Sequence, residues 1–298
     1  MKAGKYIIRA LRLPFLSASI LPFIFGSLIR KDNFNSLGFF IGLIAVAATH
    51  LSANLINDYA DSKSGVDWQD LKFYKFFGGS KLIQEKILPE KFYLRSAVIF
   101  ALIATLCVIL LSFVLKSIFV FIIYSTIIIL SWSYSEKPLQ FSYHRVGEIF
   151  IFILFGPALV MGGYFIQTGI FPDLRSFLVS VPFGLFTTAI LFANEVPDFL
   201  DDKKAGKLNW VSISGPKKAF LLYYLLMGLA FSVILLIVVL GYLKPWAFLA
   251  FIFILPVVKA GVILKNYPFD KAHLVDSSKL TIAAQTLASL VLIAGVII

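Results

Sequence analysis

Charge is scarce in this chain. Only 14% of its 298 residues are Asp, Glu, Lys or Arg, against about 25% in an average soluble domain. A soluble domain of this size needs a polar surface, and these residues are too few and too clustered to make one. That excludes a soluble enzyme and a disordered chain, and leaves the bilayer to solvate most of the exterior. Cysteine is limited to Cys107, so no internal disulfide forms. His50, His144 and His273 are scattered, so a Cys/His zinc site is excluded as well. A cleavable signal peptide is also missing. Small residues at 17–19 interrupt the first apolar run, but it continues to Leu28 without a cleavage site.

What the chain has is apolar sequence. Hydrophobic residues make up 59% of it, and the mean hydropathy is +0.90. Runs long enough to cross about 30 Å of hydrocarbon recur near 13–29, 37–57, 96–115, 117–134, 147–169, 176–194, 218–241, 245–263 and 279–298. Backbone groups in lipid must be satisfied within the segment, and these runs exceed barrel strands, so they are helices. The fold class is therefore all-α: a polytopic membrane protein with nine transmembrane helices in one bundle around a central cavity. The chain reads as a single domain, 1–298, with an internal pseudo-repeat of roughly 1–134 and 135–298.

The formal net charge is +11. No basic stretch lies beside a nucleic-acid motif, so the excess points to loops facing the cytoplasm and to no nucleic-acid partner. The N-terminal segment, the loops after spans 2, 4, 6 and 8 and the span ends that border them hold 22 Lys and Arg. The other side holds five: Arg30, Lys31, Lys116, Arg175 and Lys244. This bias predicts an integral protein of the cell membrane with a cytoplasmic N-terminus and an external C-terminus.

The acids gather at two helix ends. Span 2 closes on Asn54, Asn57, Asp58, Asp61, Gly65 and Asp67; span 6 closes on Asn194, Glu195, Asp198, Asp201, Asp202 and Gly206. Asn57/Asp61 and Asn194/Asp198 share the pattern Asn-x-x-x-Asp at an offset of 137 residues, and Asp202 extends the second by four. The same offset from Asp202 falls on Gly65, so the first cluster lacks that carboxylate and Asp67 is a candidate to replace it. Residues i and i+4 share a helix face. Each cluster thus aims a ladder of oxygen ligands one way, and such like charges oppose a helix unless cations neutralise them. Oxygen ligands without His or Cys suit Mg²⁺, which completes its shell with water and substrate phosphate. Two facing ladders would hold a diphosphate between magnesium ions, on the cytoplasmic side. Helix ends are also rich in Asn, Asp and Gly for ordinary structural reasons, but two matched clusters make a poor coincidence. A calcium loop starting at Asp61 fails, because Lys63 and Gly65 occupy its ligand positions.

Basic and hydroxyl groups nearby are candidates to bind the diphosphate. Arg12 precedes span 1 and is able to grip phosphate bidentately. Lys63, Lys81 and Lys137 also lie on this side, and Gly78-Gly79-Ser80 offers backbone N–H groups to an oxyanion. Tyr134 and Ser135 follow span 4. A secondary transporter also carries internal duplication and intramembrane acids. Here the acids sit at helix ends rather than the midplane, and no broken helix is evident.

Along nearly its whole length the chain resembles the UbiA superfamily of intramembrane prenyltransferases. The resemblance rests on Asn57-Asp58-Tyr59-Ala60-Asp61 with Gly65 and Asp67, and on Asn194, Asp198 and Asp202 with Lys204-Ala205-Gly206-Lys207. Within the superfamily it is most similar to the menaquinone-pathway dihydroxynaphthoate prenyltransferases, through Gly78-Gly79-Ser80, Tyr134-Ser135, Pro138, Gly147-Glu148, Phe155-Gly156-Pro157 and Gly162-Gly163-Tyr164 with Gln167-Thr168. It departs from them at Ser142, where a basic residue is expected, and at Leu208-Asn209-Trp210-Val211. The resemblance implies Mg²⁺-dependent transfer of a prenyl group from a prenyl diphosphate to an aromatic acceptor, 1,4-dihydroxy-2-naphthoate. Other members take 4-hydroxybenzoate or a glyceryl phosphate ether. It further implies that Asp61, Asp198 and Asp202 carry metal, with Asp58 or Asp67 joining and Asn57 and Asn194 supporting. Arg12, Lys81, Tyr134 and Ser135 are then the candidates to hold the leaving diphosphate.

Overall fold

The computed structural model describes residues 2–30 and 32–297. Lys31, one of the five basic residues counted on the outer side, lies outside the described residues. Among them there is no strand; the chain is a succession of helices, with one isolated bridge between His144 and Leu208. The α-helices are α1 (Lys2–Ala10), α2 (Ser17–Leu28), α3 (Ser36–Ser64), α4 (Glu90–Val114), α5 (Ile118–Ser133), α6 (Gly147–Phe155), α7 (Pro157–Thr168), α8 (Leu174–Lys204), α9 (Val211–Ser214), α10 (Ala219–Val239), α11 (Ile254–Asn266) and α12 (Lys271–Ile297).

Seven helical segments are long and apolar enough to cross a membrane, or eight if a bent pair at the start counts as one. The sequence reading expects nine, and the difference has two sources. Arg12 takes a left-handed conformation (φ 52°) before a short 3-10 turn, Leu13–Phe15, that contains Pro14. The chain bends there by 47°. The fourth expected span is α5, whose 16 residues extend about 24 Å, short of a hydrocarbon core of about 30 Å. The fifth expected span is one segment, Gly147–Thr168, interrupted at a single residue. Gly156 (φ −102°, ψ −92°) ends α6 and Pro157 starts α7. Proline has no N–H to donate and belongs at a helix start.

Large apolar side chains face outward along the bundle, including Leu102, Leu106, Phe113 and Ile118. Their exposure fits an integral membrane protein. Helix α8 is the centre of the packing and touches α2, α6, α7, α10 and α12. Its N-cap is Asp173, whose carboxylate accepts the N–H of Ser176 at 2.7 Å. Asn35 caps α3 in the same way through Gly38 N–H at 2.8 Å. Helices α2 and α7 meet backbone to backbone: a Cβ on Gly26 would collide with the Val160 carbonyl, and one on Gly163 with the Phe23 carbonyl.

Two features set up the functional end. Helix α3 runs on past the expected end at 57 and stops at Gly65, whose left-handed φ of 86° costs glycine little. Helix α8 likewise continues to Lys204. Asn57, Asp58 and Asp61 therefore ride on α3, Asp67 lies beyond it in a 3-10 turn, Val66–Trp68, and Asn194, Asp198 and Asp202 occupy successive turns of α8.

Candidate active site

The ends of α3 and α8, the start of α12 and the long loop between α3 and α4 converge. A cation joins the two clusters. The Lys207 ammonium lies 3.2 Å from Asp61 Oδ2 on α3 and 3.9 Å from Asp202 Oδ1 on α8. Burial works against its charge, but Asp61 and Asp202 outweigh that and hold Lys207 well above the ordinary lysine value. Asp61 also accepts hydrogen bonds from the Tyr143 hydroxyl at 3.2 Å and Asn57 Nδ2 at 3.4 Å. Burial first, and then the Asp61 charge, push the Tyr143 phenol up from its usual range. Asp202 accepts from Asn209 Nδ2 at 2.9 Å.

The loop between α3 and α4 folds onto both clusters. Gly78 N–H donates to Asp198 Oδ2 at 2.9 Å, and Ser80 N–H to Asp58 Oδ2 at 3.0 Å. Gly78 and Gly79 both have left-handed φ, 69° and 72°, which two consecutive residues with Cβ atoms would strain to adopt. The oxyanions that this glycine turn receives are therefore the protein's own carboxylates, a correction to the expectation of a phosphate nest. Lys81 is 3% exposed and gives its ammonium to Asp67, 2.8 Å from the carbonyl and 3.1 Å from Oδ1. Burial, then the neighbouring Asp61 charge, push the Asp67 carboxyl up to about 7, against the pull of Lys81.

A cavity of about 260 Å³ opens beside these groups. Its mouth is lined by Arg12, Asn57, Asp61, Asp67, Lys81, Tyr134, Asn194, Asp198, Asp202 and Lys207. Its depth is apolar, with Phe23, Val46, Leu154, Phe155 and Leu159 among its walls. Arg12 donates to Asn57 Oδ1 at 3.2 Å and lies 3.5 Å from Asp58 Oδ1. Asp58 and Ser135 lie behind this lining. Asp58 is 2% exposed, and Ser135 accepts from Asn57 Nδ2 at 2.9 Å. Lys63 is elsewhere, paired with Glu90 at 2.7 Å, and Lys137 is exposed.

Three groups escaped the sequence reading as site residues. Lys207 was visible only as part of a motif, and Asn209 sits in the segment that departs from the expected pattern. Lys271 arrives from α12 to pair with Asp70 at 2.8 Å and Asp201 at 2.7 Å. No local spacing relates Lys271 to either cluster.

Among the described residues no group of three or more His, Cys, Asp or Glu makes a protein-only metal cage. A hard cation that takes one or two carboxylates and fills its shell with water and phosphate needs no such cage. The donor set at the mouth is all oxygen, and Asn194 Oδ1 is buried there with no partner. These residues fit Mg²⁺.

The UbiA prenyltransferase family pattern matches residues 19–271. The chain belongs to the UbiA prenyltransferase family. It is 30% identical over 237 residues to UbiA prenyltransferase domain-containing protein 1 of Xenopus tropicalis, covering 78% of this chain. The chain spans 66% of that relative's length. It is 24% identical over 299 residues to the 1,4-dihydroxy-2-naphthoate octaprenyltransferase of Bacillus subtilis strain 168, covering 99% of this chain and 93% of that one. A UbiA homologue from Archaeoglobus fulgidus, solved with GPP and Mg²⁺, shares the fold with a TM-score of 0.60 at 14% identity, covering 97% of this chain and 99% of that one.

Proposed function

We propose that this member of the family is a Mg²⁺-dependent intramembrane prenyltransferase that uses a prenyl diphosphate and an aromatic acceptor, 1,4-dihydroxy-2-naphthoate in menaquinone biosynthesis. The observation that carries this reading is Lys207, whose ammonium sits between Asp61 and Asp202. It brings the two acidic ladders to one cation-seeking mouth above an apolar cavity. The Archaeoglobus homologue with GPP and Mg²⁺ supports the donor and the metal, and the Bacillus relative supports the acceptor.

Asp61, Asp198 and Asp202 would hold the ion, with Asn57 and Asn194 supporting. Asp58 or Asp67 would join them; Asp58 accepts from Ser80 N–H and Asp67 pairs with Lys81. When bound, Mg²⁺ supplies a Lewis acid for the charge that develops on the departing diphosphate. Arg12 and Lys207 add positive charge at the same mouth, and Tyr134 borders it. The apolar walls keep water from the allylic cation formed as the C–O bond breaks. In this reading the bent first pair and α5 also cross the bilayer, giving nine spans in one domain, with the N-terminus and the site at the cytoplasmic face.

The test is purified protein with labelled prenyl diphosphates of several lengths and a panel of acceptors. Prenylated naphthoate is the expected product. No product from any acceptor overturns the enzymatic reading. Product from 4-hydroxybenzoate or a glyceryl phosphate ether alone overturns the acceptor.

A further inference from the structure

One residue that lines the cavity carries a polar atom that the donor does not explain. His50, on α3, is 7% exposed and lines this cavity. Its Nδ1 is held by Ser19 Oγ at 2.6 Å, and its ring makes a T-shaped contact with Phe155 at a centroid distance of 5.9 Å. Its Nε2 is buried with no partner. An unpaired buried polar atom carries a desolvation penalty of about 1–3 kcal/mol, so its persistence needs a reason. A hydrocarbon tail gives none, because it has nothing to hydrogen-bond.

The position of His50 narrows the ligand. It lies seven residues before Asn57, which is two turns along the same helix face, about 10 Å from the diphosphate mouth. Ser19 and Phe155 fix the ring, so Nε2 keeps a single direction beside the cavity. A hydroxyl suits it whichever ring nitrogen carries the proton, because a hydroxyl both donates and accepts.

We infer that His50 Nε2 hydrogen-bonds a ring hydroxyl of the aromatic acceptor and so fixes which ring carbon faces the prenyl donor. This rests on the prenyltransferase reading above. It makes His50 a specificity residue for the acceptor, with no part in holding metal or diphosphate. Tyr124 provides the comparison. Its hydroxyl is also buried and unpaired beside the cavity. However, it packs with Phe23 and Val46, each about one turn farther from the diphosphate mouth than Ser19 and His50.

The test measures KM for 1,4-dihydroxy-2-naphthoate and its two mono-methyl ethers, with KM for the prenyl diphosphate alongside. His50→Leu should raise the acceptor KM about tenfold, the weight of one neutral hydrogen bond, and leave the donor KM unchanged. One of the two methyl ethers should show a similar loss with the parent protein and no further loss with His50→Leu. His50→Gln, which returns a polar nitrogen near Nε2, should recover most of the affinity. Tyr124→Phe should leave the acceptor KM as it was. If His50→Leu does not fold, His50→Gln and the methyl ethers on the parent carry the test. Transfer by the parent with equal KM for all three acceptors, or an equal rise in Tyr124→Phe, overturns the inference and spares the enzymatic reading. Absence of any transfer by the parent overturns both.

Discussion

Lys207→Met isolates the cation that bridges the two clusters. The side chain keeps most of its length and loses its charge. At an effective dielectric of about 20, separations of 3.2 and 3.9 Å correspond to gross attractions of about 5 and 4 kcal/mol. Much of that is offset by the cost of desolvating the ammonium. The net loss from stranding a buried carboxylate is about 3–5 kcal/mol. For a chain of this size about 2 °C of Tm accompanies each kcal/mol, so the variant should melt about 6–10 °C below the parent in EDTA. If Mg²⁺ shares Asp61 and Asp202 with the ammonium, it replaces the missing counter-charge. Mg²⁺ with inorganic diphosphate should then recover most of the loss. Thermal unfolding in detergent, with and without these additions, reads both effects. Equal melting of variant and parent in EDTA would refute the bridge. A gap of the same size with and without Mg²⁺ and diphosphate would refute the shared site.

Removal of divalent ions with EDTA should abolish prenyl transfer, and Mg²⁺ or Mn²⁺ should restore it; undiminished transfer in a metal-free preparation contradicts the oxygen-ligand mechanism. Asp61→Asn and Asp198→Asn should each lower turnover about a hundredfold or more, since each removes about 3 kcal/mol of transition-state stabilisation at about 1.4 kcal/mol per tenfold. Asp201→Asn should cost turnover much less, because its carboxylate is committed to Lys271, and Asp70 remains to hold that lysine; a loss equal to that of Asp198→Asn would break the assignment of roles along α8. A cysteine at Lys72 should react with impermeant reagents only from the cytoplasmic side and one at Lys244 only from outside, and the reverse pattern would invert the topology.

The sequence disclosed the helical character of the chain and the two ladders because both are local. An apolar run announces its own length, and Asn-x-x-x-Asp announces a shared face. It concealed what depends on backbone departures and distant partners. Pro14 and Pro157 looked like residues inside apolar runs, yet each marks a discontinuity, because a run of apolar side chains says nothing about where the hydrogen-bond ladder stops. The glycine turn at 78–79 was legible as a source of N–H groups. Its real acceptors, Asp198 and Asp58, lie 120 and 22 residues away from their donors. Lys271 was counted only as a loop charge, and Asn209 only as a departure from pattern. Each acquires meaning when the ends of α3, α8 and α12 meet.

The seam between α2 and α7 bears on how variation in this protein is interpreted. Gly26 and Gly163 allow two backbones to touch where any Cβ would push them apart. Helix α2 leads out of the turn that presents Arg12.

 Ala158 and Leu159 belong to the first turn of α7 itself, so the seam and the cavity wall are one continuous piece of structure. A methyl group added at Gly26 or Gly163 therefore acts as a wedge, with no chemistry of its own and no contact with substrate. An inherited or engineered change there would register as lost protein rather than altered turnover. A screen that scores only product would file it with the aspartate variants, and quantifying folded protein in the membrane would tell them apart.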